Sequence, residues 1–136
     1  MQTLDTKFFD EYKKFDALCG DMLSSRAGVT DYINAMEADA ARGRKKYAAW
    51  DADLKELKRL RHIRNRLAHE ADASGLVKQD DLRSLRALHS RFSSGKDPLS
   101  ALKGTKSGGK KSRAGLVIAL IIILAVLAAV LWLVLK

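Results

Sequence analysis

An uninterrupted apolar run near the end of the chain constrains its fold more than any other feature. Residues 114–135 read AGLVIALIIILAVLAAVLWLVL and contain no charged residue, Asn, Gln or Pro. As a helix rising about 1.5 Å per residue, this run extends roughly 33 Å, enough to cross a hydrocarbon core of about 30 Å. A buried core helix is the alternative, but core helices are usually shorter and keep a polar side. The run therefore predicts a C-terminal transmembrane helix.

The net charge of +9 is concentrated beside this run. Residues 94–113 carry six Lys or Arg and one Asp, a balance of +5, whereas residues 1–93 carry 18 basic and 15 acidic residues, a balance of +3. Basic residues flanking a span favour the cytoplasmic side and attract anionic lipid. We therefore expect a tail-anchored, single-pass membrane protein with its N-terminal domain in the cytoplasm. Lys110, Lys111 and Arg113 are the expected lipid or phosphate contacts at the membrane.

Residues 1–93 show apolar side chains at steps of three and four, the spacing of amphipathic helices. Four such stripes occur. Their members are Phe8, Tyr12, Phe15, Cys19 and Met22; Tyr32, Ile33, Met36 and Ala40; Trp50, Leu54, Leu57, Leu60, Ile63 and Leu67; and Leu82, Leu85, Leu88 and Phe92. With no strand pattern, they predict an all-α fold, a four-helix antiparallel bundle whose third helix runs over 44–70. Residues 94–113, rich in Ser, Gly and Lys, are expected to form a basic flexible linker.

The third predicted helix ends in a cluster of polar residues. Residues 59–70 read RLRHIRNRLAHE, with four arginines, two histidines and one asparagine. Around a helix, Asn65 lies about 40° from His69, and Arg61 lies one turn earlier on the same face. Arg64, five residues before His69, is about 140° away from it. Arg64 and His69 can therefore meet only if the arginine side chain curls round, or across a symmetric interface.

Arginine and histidine together suit the cleavage of RNA without a metal ion. Histidine can take a proton from a ribose 2′-hydroxyl or give one to the leaving 5′-oxygen, and arginine can stabilise charge on the phosphate. The alternative is structural, because basic residues near a helix C-terminus also interact with the helix dipole and the last carbonyls. Arg61 and Arg66 are further candidates for phosphate contacts.

The motif RNRLAH, from Arg64 to His69, resembles the R-x4-6-H motif of the HEPN superfamily, in which a polar residue, here Asn65, often follows the arginine. The resemblance implies a small helical bundle that forms a homodimer, with two copies of the motif facing a shared cleft. It also implies that Arg64 and His69 are the catalytic pair of a metal-independent endoribonuclease, supported by Asn65. The lines FFDEYKKFDALCGDML and GVTDYINAMEA are similar to those of small bacterial helical proteins, a likeness that implies no activity.

Other kinds of site find little support in the sequence. His62, His69 and His89 form neither an H-E-x-x-H motif nor a cluster with Cys19, so we expect no metal site and no cofactor. Cys19 occupies an apolar position in the first stripe and is expected to be buried.

Two functions remain open at this stage. The first is a membrane-tethered, HEPN-like endoribonuclease that cleaves single-stranded RNA, for which a defence or toxin system is one setting. The second is a non-catalytic, tail-anchored helical module that binds a protein or nucleotide partner at the membrane. The modest charge of residues 1–93 favours the second, because RNA binders often carry a stronger basic field. The local cluster of arginines favours the first.

Overall fold

The computed structural model of the chain describes residues 3–70, 72–104 and 113–134, with the backbone only at 113–119. The chain divides into two units, Met1–Lys103 and Gly104–Lys136. The described residues form seven helices and no strand, so the all-α class is confirmed. The helices are α1 (Leu4–Leu23), α2 (Gly28–Ala38), α3 (Ala40–Lys46), α4 (Trp50–His69), α5 (Gln79–Ser93), α6 (Pro98–Lys103) and α7 (Arg113–Val134).

The apolar stripes predicted most of the core of the first unit correctly. The buried members are Phe8, Tyr12, Phe15, Cys19, Tyr32, Ile33, Met36, Trp50, Leu57, Leu60, Leu82, Leu85, Leu88 and Phe92. Ile63 and Leu67, in the second half of α4, are only partly buried against this core. The C-terminal half of α4, which carries the R-x4-H motif, therefore lies at the edge of the core and within reach of solvent.

The predicted third helix is two helices, because the chain breaks between α3 and α4. Tyr47 adopts an extended conformation after α3, and α4 begins at Trp50. The Trp50 ring is fully buried and packs directly on Gly43, where a Cβ atom would lie 2.3 Å from Cε2 of the indole. The contact requires α3 to turn back onto the start of α4, which a continuous helix does not allow.

A sixth helix, α6, completes this unit within the stretch assigned above to the linker. Asp97 precedes α6 and is 1% exposed, and its Oδ2 accepts a hydrogen bond from the Tyr32 hydroxyl at 2.5 Å. The same hydroxyl accepts the Leu99 N–H at 3.0 Å, and Leu99 and Leu102 are buried. The described residues of the Met1–Lys103 unit thus form six helices instead of the predicted four, because α3 is separate and α6 packs on the core.

The junction between α1 and α2 positions one wall of the site described below. Gly28 begins α2 with φ +32°, and a Cβ there would lie 2.4 Å from the carboxyl carbon of Asp16 on α1. The Asp16 Oδ1 accepts the Val29 N–H at 2.8 Å. Only glycine permits this close approach, which holds the N-terminus of α2 against the middle of α1.

The prediction of a transmembrane helix is corrected by the second unit. In the part of the chain that the structure describes, no helix is both long and apolar enough to cross a membrane. The transmembrane assignment of 114–135 is therefore wrong on this finding, and so is the single-pass membrane location with a cytoplasmic N-terminal domain.

Candidate functional site

The four arginines near the end of α4 divide into two pairs with different surroundings. Arg59 forms ion pairs with Glu56 and Asp81. Arg66 forms an ion pair with Glu70 at 2.9 Å between Nη2 and Oε2. These partners engage both guanidinium groups in contacts within the protein. Arg66, one of the predicted phosphate contacts, therefore lies beside a carboxylate.

The other pair of arginines lines a cavity of about 270 Å³, which we call the arginine cavity. It lies where α1, the start of α2 and the second half of α4 meet. The lining residues are Tyr12 and Asp16 of α1; Arg26 and Ala27 just before α2; Thr30 in the first turn of α2; and Arg61, Arg64 and Asn65 of α4. The structure thus brings together three of the residues that the sequence singled out, Arg61, Arg64 and Asn65.

The arginine cavity carries an excess of positive charge. None of Arg26, Arg61 and Arg64 forms an ion pair with a residue that the structure describes. The acidic residue in the lining is Asp16, and its Oδ1 already accepts the backbone N–H of Val29. Three guanidinium groups facing one carboxylate make the cavity suited to an anion that carries hydrogen-bond acceptors.

A buried phenol contributes a neutral polar group to the same cavity. Burial raises the pKa of the Tyr12 hydroxyl well above its ordinary value, and the Asp16 charge adds to the rise, whereas Arg64 and Arg61 lower it. A tyrosine hydroxyl is already protonated at physiological pH at its ordinary pKa of about 10, and the raised pKa widens that margin. Tyr12 can therefore donate a hydrogen bond but carries no charge that would repel an anion.

Arg64 also contacts Phe9, a residue that lines a second, more apolar cavity. Its guanidinium carbon lies 5.8 Å from the centre of the Phe9 ring, within the range of a cation–π contact. Its Nη1 donates a hydrogen bond to Oδ1 of Asn65 at 3.1 Å. Phe9 lines the second cavity, of about 290 Å³, which we call the Phe9 cavity. The remaining lining residues of the Phe9 cavity are Asp5, Thr6, Leu67 and Ala68.

His69 lies apart from the residues just described. It is the last residue of α4, its side chain is exposed, and it lines neither cavity. The five-residue spacing explains this, because it directs Arg64 and His69 to faces of the helix about 140° apart. Within one chain the structure does not bring the two predicted catalytic residues together.

The structure also adds residues that sequence reasoning did not select. Arg26 and Thr30 lie outside the four apolar stripes and outside the polar cluster at residues 59–70. Their relevance comes from the packing of α2 against α1 through Gly28 and Asp16. A signal was available in the sequence, because a basic residue two positions before a helix start adds to the positive end of the helix dipole.

The predicted contacts near α7 cannot be placed in this site. Lys110 and Lys111 lie outside the described residues, and Arg113 begins α7 in a stretch whose side chains are not described. The described side chains that form the site therefore all belong to the Met1–Lys103 unit.

Comparison with known proteins relates this fold to one family. No curated protein and no solved structure matches the chain. A family of unknown function matches it over residues 6–114, which includes all of both cavities except Asp5. Since the match covers more than half of the chain, the protein belongs to this family, DUF6548.

Proposed function

We propose that this protein is a metal-independent endoribonuclease that cleaves single-stranded RNA, as its resemblance to the HEPN superfamily implies. The observation that carries the proposal is the state of Arg64. Its guanidinium group lies in no ion pair with a described residue and lines a cavity shared with Arg61, Arg26 and Asn65. An arginine so placed is available to contact a phosphodiester.

The chemistry is a transesterification within the RNA. A histidine base removes the proton of a ribose 2′-hydroxyl, and the oxygen attacks the adjacent phosphorus while the bond to the 5′-oxygen breaks. An acid returns a proton to that 5′-oxygen, so the products are a 2′,3′-cyclic phosphate and a 5′-hydroxyl. Arg64 stabilises the charge that develops on the non-bridging phosphate oxygens. The exposed imidazole of His69 is accessible for the proton transfers.

A homodimer would supply the arrangement that one chain lacks. Arg64 and His69 of the same chain point to different faces of α4, so a complete site needs the histidine of a second copy. Phe9, Leu67 and Arg64 lie on the partly exposed face formed by α1 and α4. Burial of further surface in a dimer would also stabilise a bundle of this size.

The second candidate is a module that binds a nucleotide or a protein partner without cleaving it. The position of His69 outside the arginine cavity favours it, because the cavity is complete as an anion-binding site without that residue. In such a binding module, Arg64 and Asn65 recognise a phosphate group, and His69 has no role in binding.

The experiment that tests the proposal is an RNA cleavage assay in the presence of a chelator. The full chain is incubated with labelled single-stranded RNA beside the Arg64→Ala and His69→Ala variants, and circular dichroism checks that each variant is folded. His62→Ala is the matched control, because His62 is an exposed histidine of the same helix that lines neither cavity.

Cleavage that yields a 2′,3′-cyclic phosphate, is lost in both test variants and is kept in the control would support the endoribonuclease. Cleavage that survives both substitutions would contradict it. Binding of RNA without cleavage by the wild-type chain would favour the second candidate instead.

A further inference from the structure

One side chain, Arg64, relates the arginine cavity to the Phe9 cavity. Arg64 lines the first, and its guanidinium group contacts the ring of Phe9, which lines the second. One cavity is cationic and the other is largely apolar. A nucleotide unit of RNA has the same division, with an anionic phosphate joined through the ribose to an aromatic base.

We infer that the two cavities bind consecutive parts of one single-stranded RNA segment, with a phosphate between Arg26 and Arg61 and a base against Phe9. The inference rests on the proposed function for the identity of the ligand. It assigns recognition to Arg26 and Phe9, which lie outside the R-x4-H motif and take no part in the proton transfers.

The surroundings of the arginine cavity support the phosphate position. Arg26 and Arg61 reach it from different elements, the turn before α2 and the face of α4, so their charges converge from two sides. Thr30 adds a hydroxyl that can donate to a phosphate oxygen. Asp16 opposes an anion there, but its Oδ1 accepts the Val29 N–H, and its single charge is outnumbered by three guanidinium groups.

The surroundings of Phe9 support the base position. Its ring is partly exposed and is flanked by Leu67 and Ala68, which offer an apolar floor of the kind on which bases stack. The acidic member of the lining, Asp5, accepts the backbone N–H of Val77 at 3.0 Å and that of Gly75, so its carboxylate is held by the α4–α5 connection. Stacking tolerates every base, which suits a single strand of varied sequence.

The test measures binding separately from cleavage. A fluorescent 2′-O-methyl oligoribonucleotide lacks the nucleophilic hydroxyl and stays intact, and a second oligonucleotide of equal length is abasic at its central positions. Their affinities for the full-length chain are measured by anisotropy over a range of salt concentrations. The variants are Phe9→Ala, Phe9→Trp and Arg26→Gln, with Arg86→Gln as the control for an exposed arginine outside both cavities.

We expect Phe9→Ala to weaken binding of the base-bearing oligonucleotide about tenfold and to leave the abasic one unchanged. Phe9→Trp should keep the wild-type affinity, because the larger ring also stacks. Arg26→Gln should weaken binding of both oligonucleotides and lower the slope of log affinity against log salt by about 0.7, as loss of one contact to a single-stranded phosphate does. Arg86→Gln should change neither quantity.

Two results would overturn the inference. One is that Phe9→Ala and Arg26→Gln both bind the oligonucleotides with the affinity and salt dependence of the wild type. The other is that the wild-type chain binds no oligonucleotide. The exposed Arg26 keeps the test informative even if Phe9→Ala unfolds the bundle. Failure of the proposed endoribonuclease function would look different. In that case Phe9→Ala and Arg26→Gln would still weaken oligonucleotide binding, but the wild-type chain would bind unmodified RNA without cleaving it.

Discussion

The hydroxyl group of Tyr32 and the carboxylate of Asp97 are joined by a buried hydrogen bond of 2.5 Å, 65 positions apart in the sequence. The bond ties α2 to the segment that begins α6. Asp97 Oδ2 also accepts the Ser100 N–H at 3.1 Å, whereas its Oδ1 is buried without a partner among the described residues. One phenol thus joins α2 both to the residue before α6 and to the backbone of α6 at Leu99.

Tyr32→Phe is expected to lower the free energy of unfolding by about 2 to 4 kcal/mol. The substitution leaves a buried carboxylate and the Leu99 N–H without their shared partner. Urea denaturation followed by circular dichroism measures the loss. Tyr47→Phe is the control, because the Tyr47 hydroxyl donates to Asp53 in a less buried place, and we expect its cost to be about 1 kcal/mol. Equal losses for the two variants would contradict this assignment.

The ion pair between Arg59 and Asp81 predicts a loss of stability in acid. Burial raises the pKa of the Asp81 carboxyl, but hydrogen bonds from Arg59 and from the Lys78 N–H outweigh burial, so its pKa in the folded state lies below the ordinary value. A lowered folded-state pKa contributes stability that is complete above the unfolded-state pKa of about 4 and is lost as the pH falls through the folded-state value.

Asp81→Asn is therefore expected to flatten the dependence of unfolding free energy on pH below about 4, although it also lowers stability at neutral pH. The measurement is a series of urea titrations between about pH 2 and pH 7 for the wild type and the variant. Asp80→Asn is the control, since Asp80 is an exposed neighbour whose carboxylate forms a surface ion pair with Arg83. A variant curve parallel to that of the wild type in acid would contradict the prediction.

The separation of Arg64 and His69 on α4 predicts that two inactive variants restore activity when they are mixed. If each site takes Arg64 from one chain and His69 from its partner, a heterodimer of Arg64→Ala and His69→Ala chains contains one intact site. An equal mixture should then recover about a quarter of the wild-type cleavage rate. The assay is RNA cleavage after the two variants are mixed and allowed to exchange subunits.

The control for the mixing experiment is a doubly substituted chain combined with either single variant, which leaves no intact site. If cleavage recovers in the equal mixture of the single variants but not in the control mixtures, the result supports a site shared between two copies. If the mixture stays inactive while the wild type cleaves, both residues act within one chain, and α4 must then rearrange on binding RNA.

The periodicity of apolar residues was sufficient to locate most of the core, because the spacing along a helix determines which side chains share a face. It also placed Asn65 on one helix face with Arg61 and His69, and of these three the structure brings Arg61 and Asn65 to the arginine cavity and leaves His69 outside it. It did not show that α3 ends before Trp50 or that residues 98–103 form α6, because these features depend on the contact of Gly43 with Trp50 and on the Tyr32–Asp97 bond. Such contacts join residues that no local pattern relates.

By itself, the sequence determined the helical class, the buried faces and the presence of an arginine- and histidine-rich end on α4, since all three follow from local spacing and side-chain chemistry. Only the tertiary structure decided which of these arginines form ion pairs with carboxylates and which line a cavity where they can contact a ligand. Arg59 and Arg66 meet carboxylates, whereas Arg61 and Arg64 face Arg26 across a cavity. The physical reason is that the interactions of a charged side chain depend on its distance to other groups in space, and packing alone brings α2 beside α4.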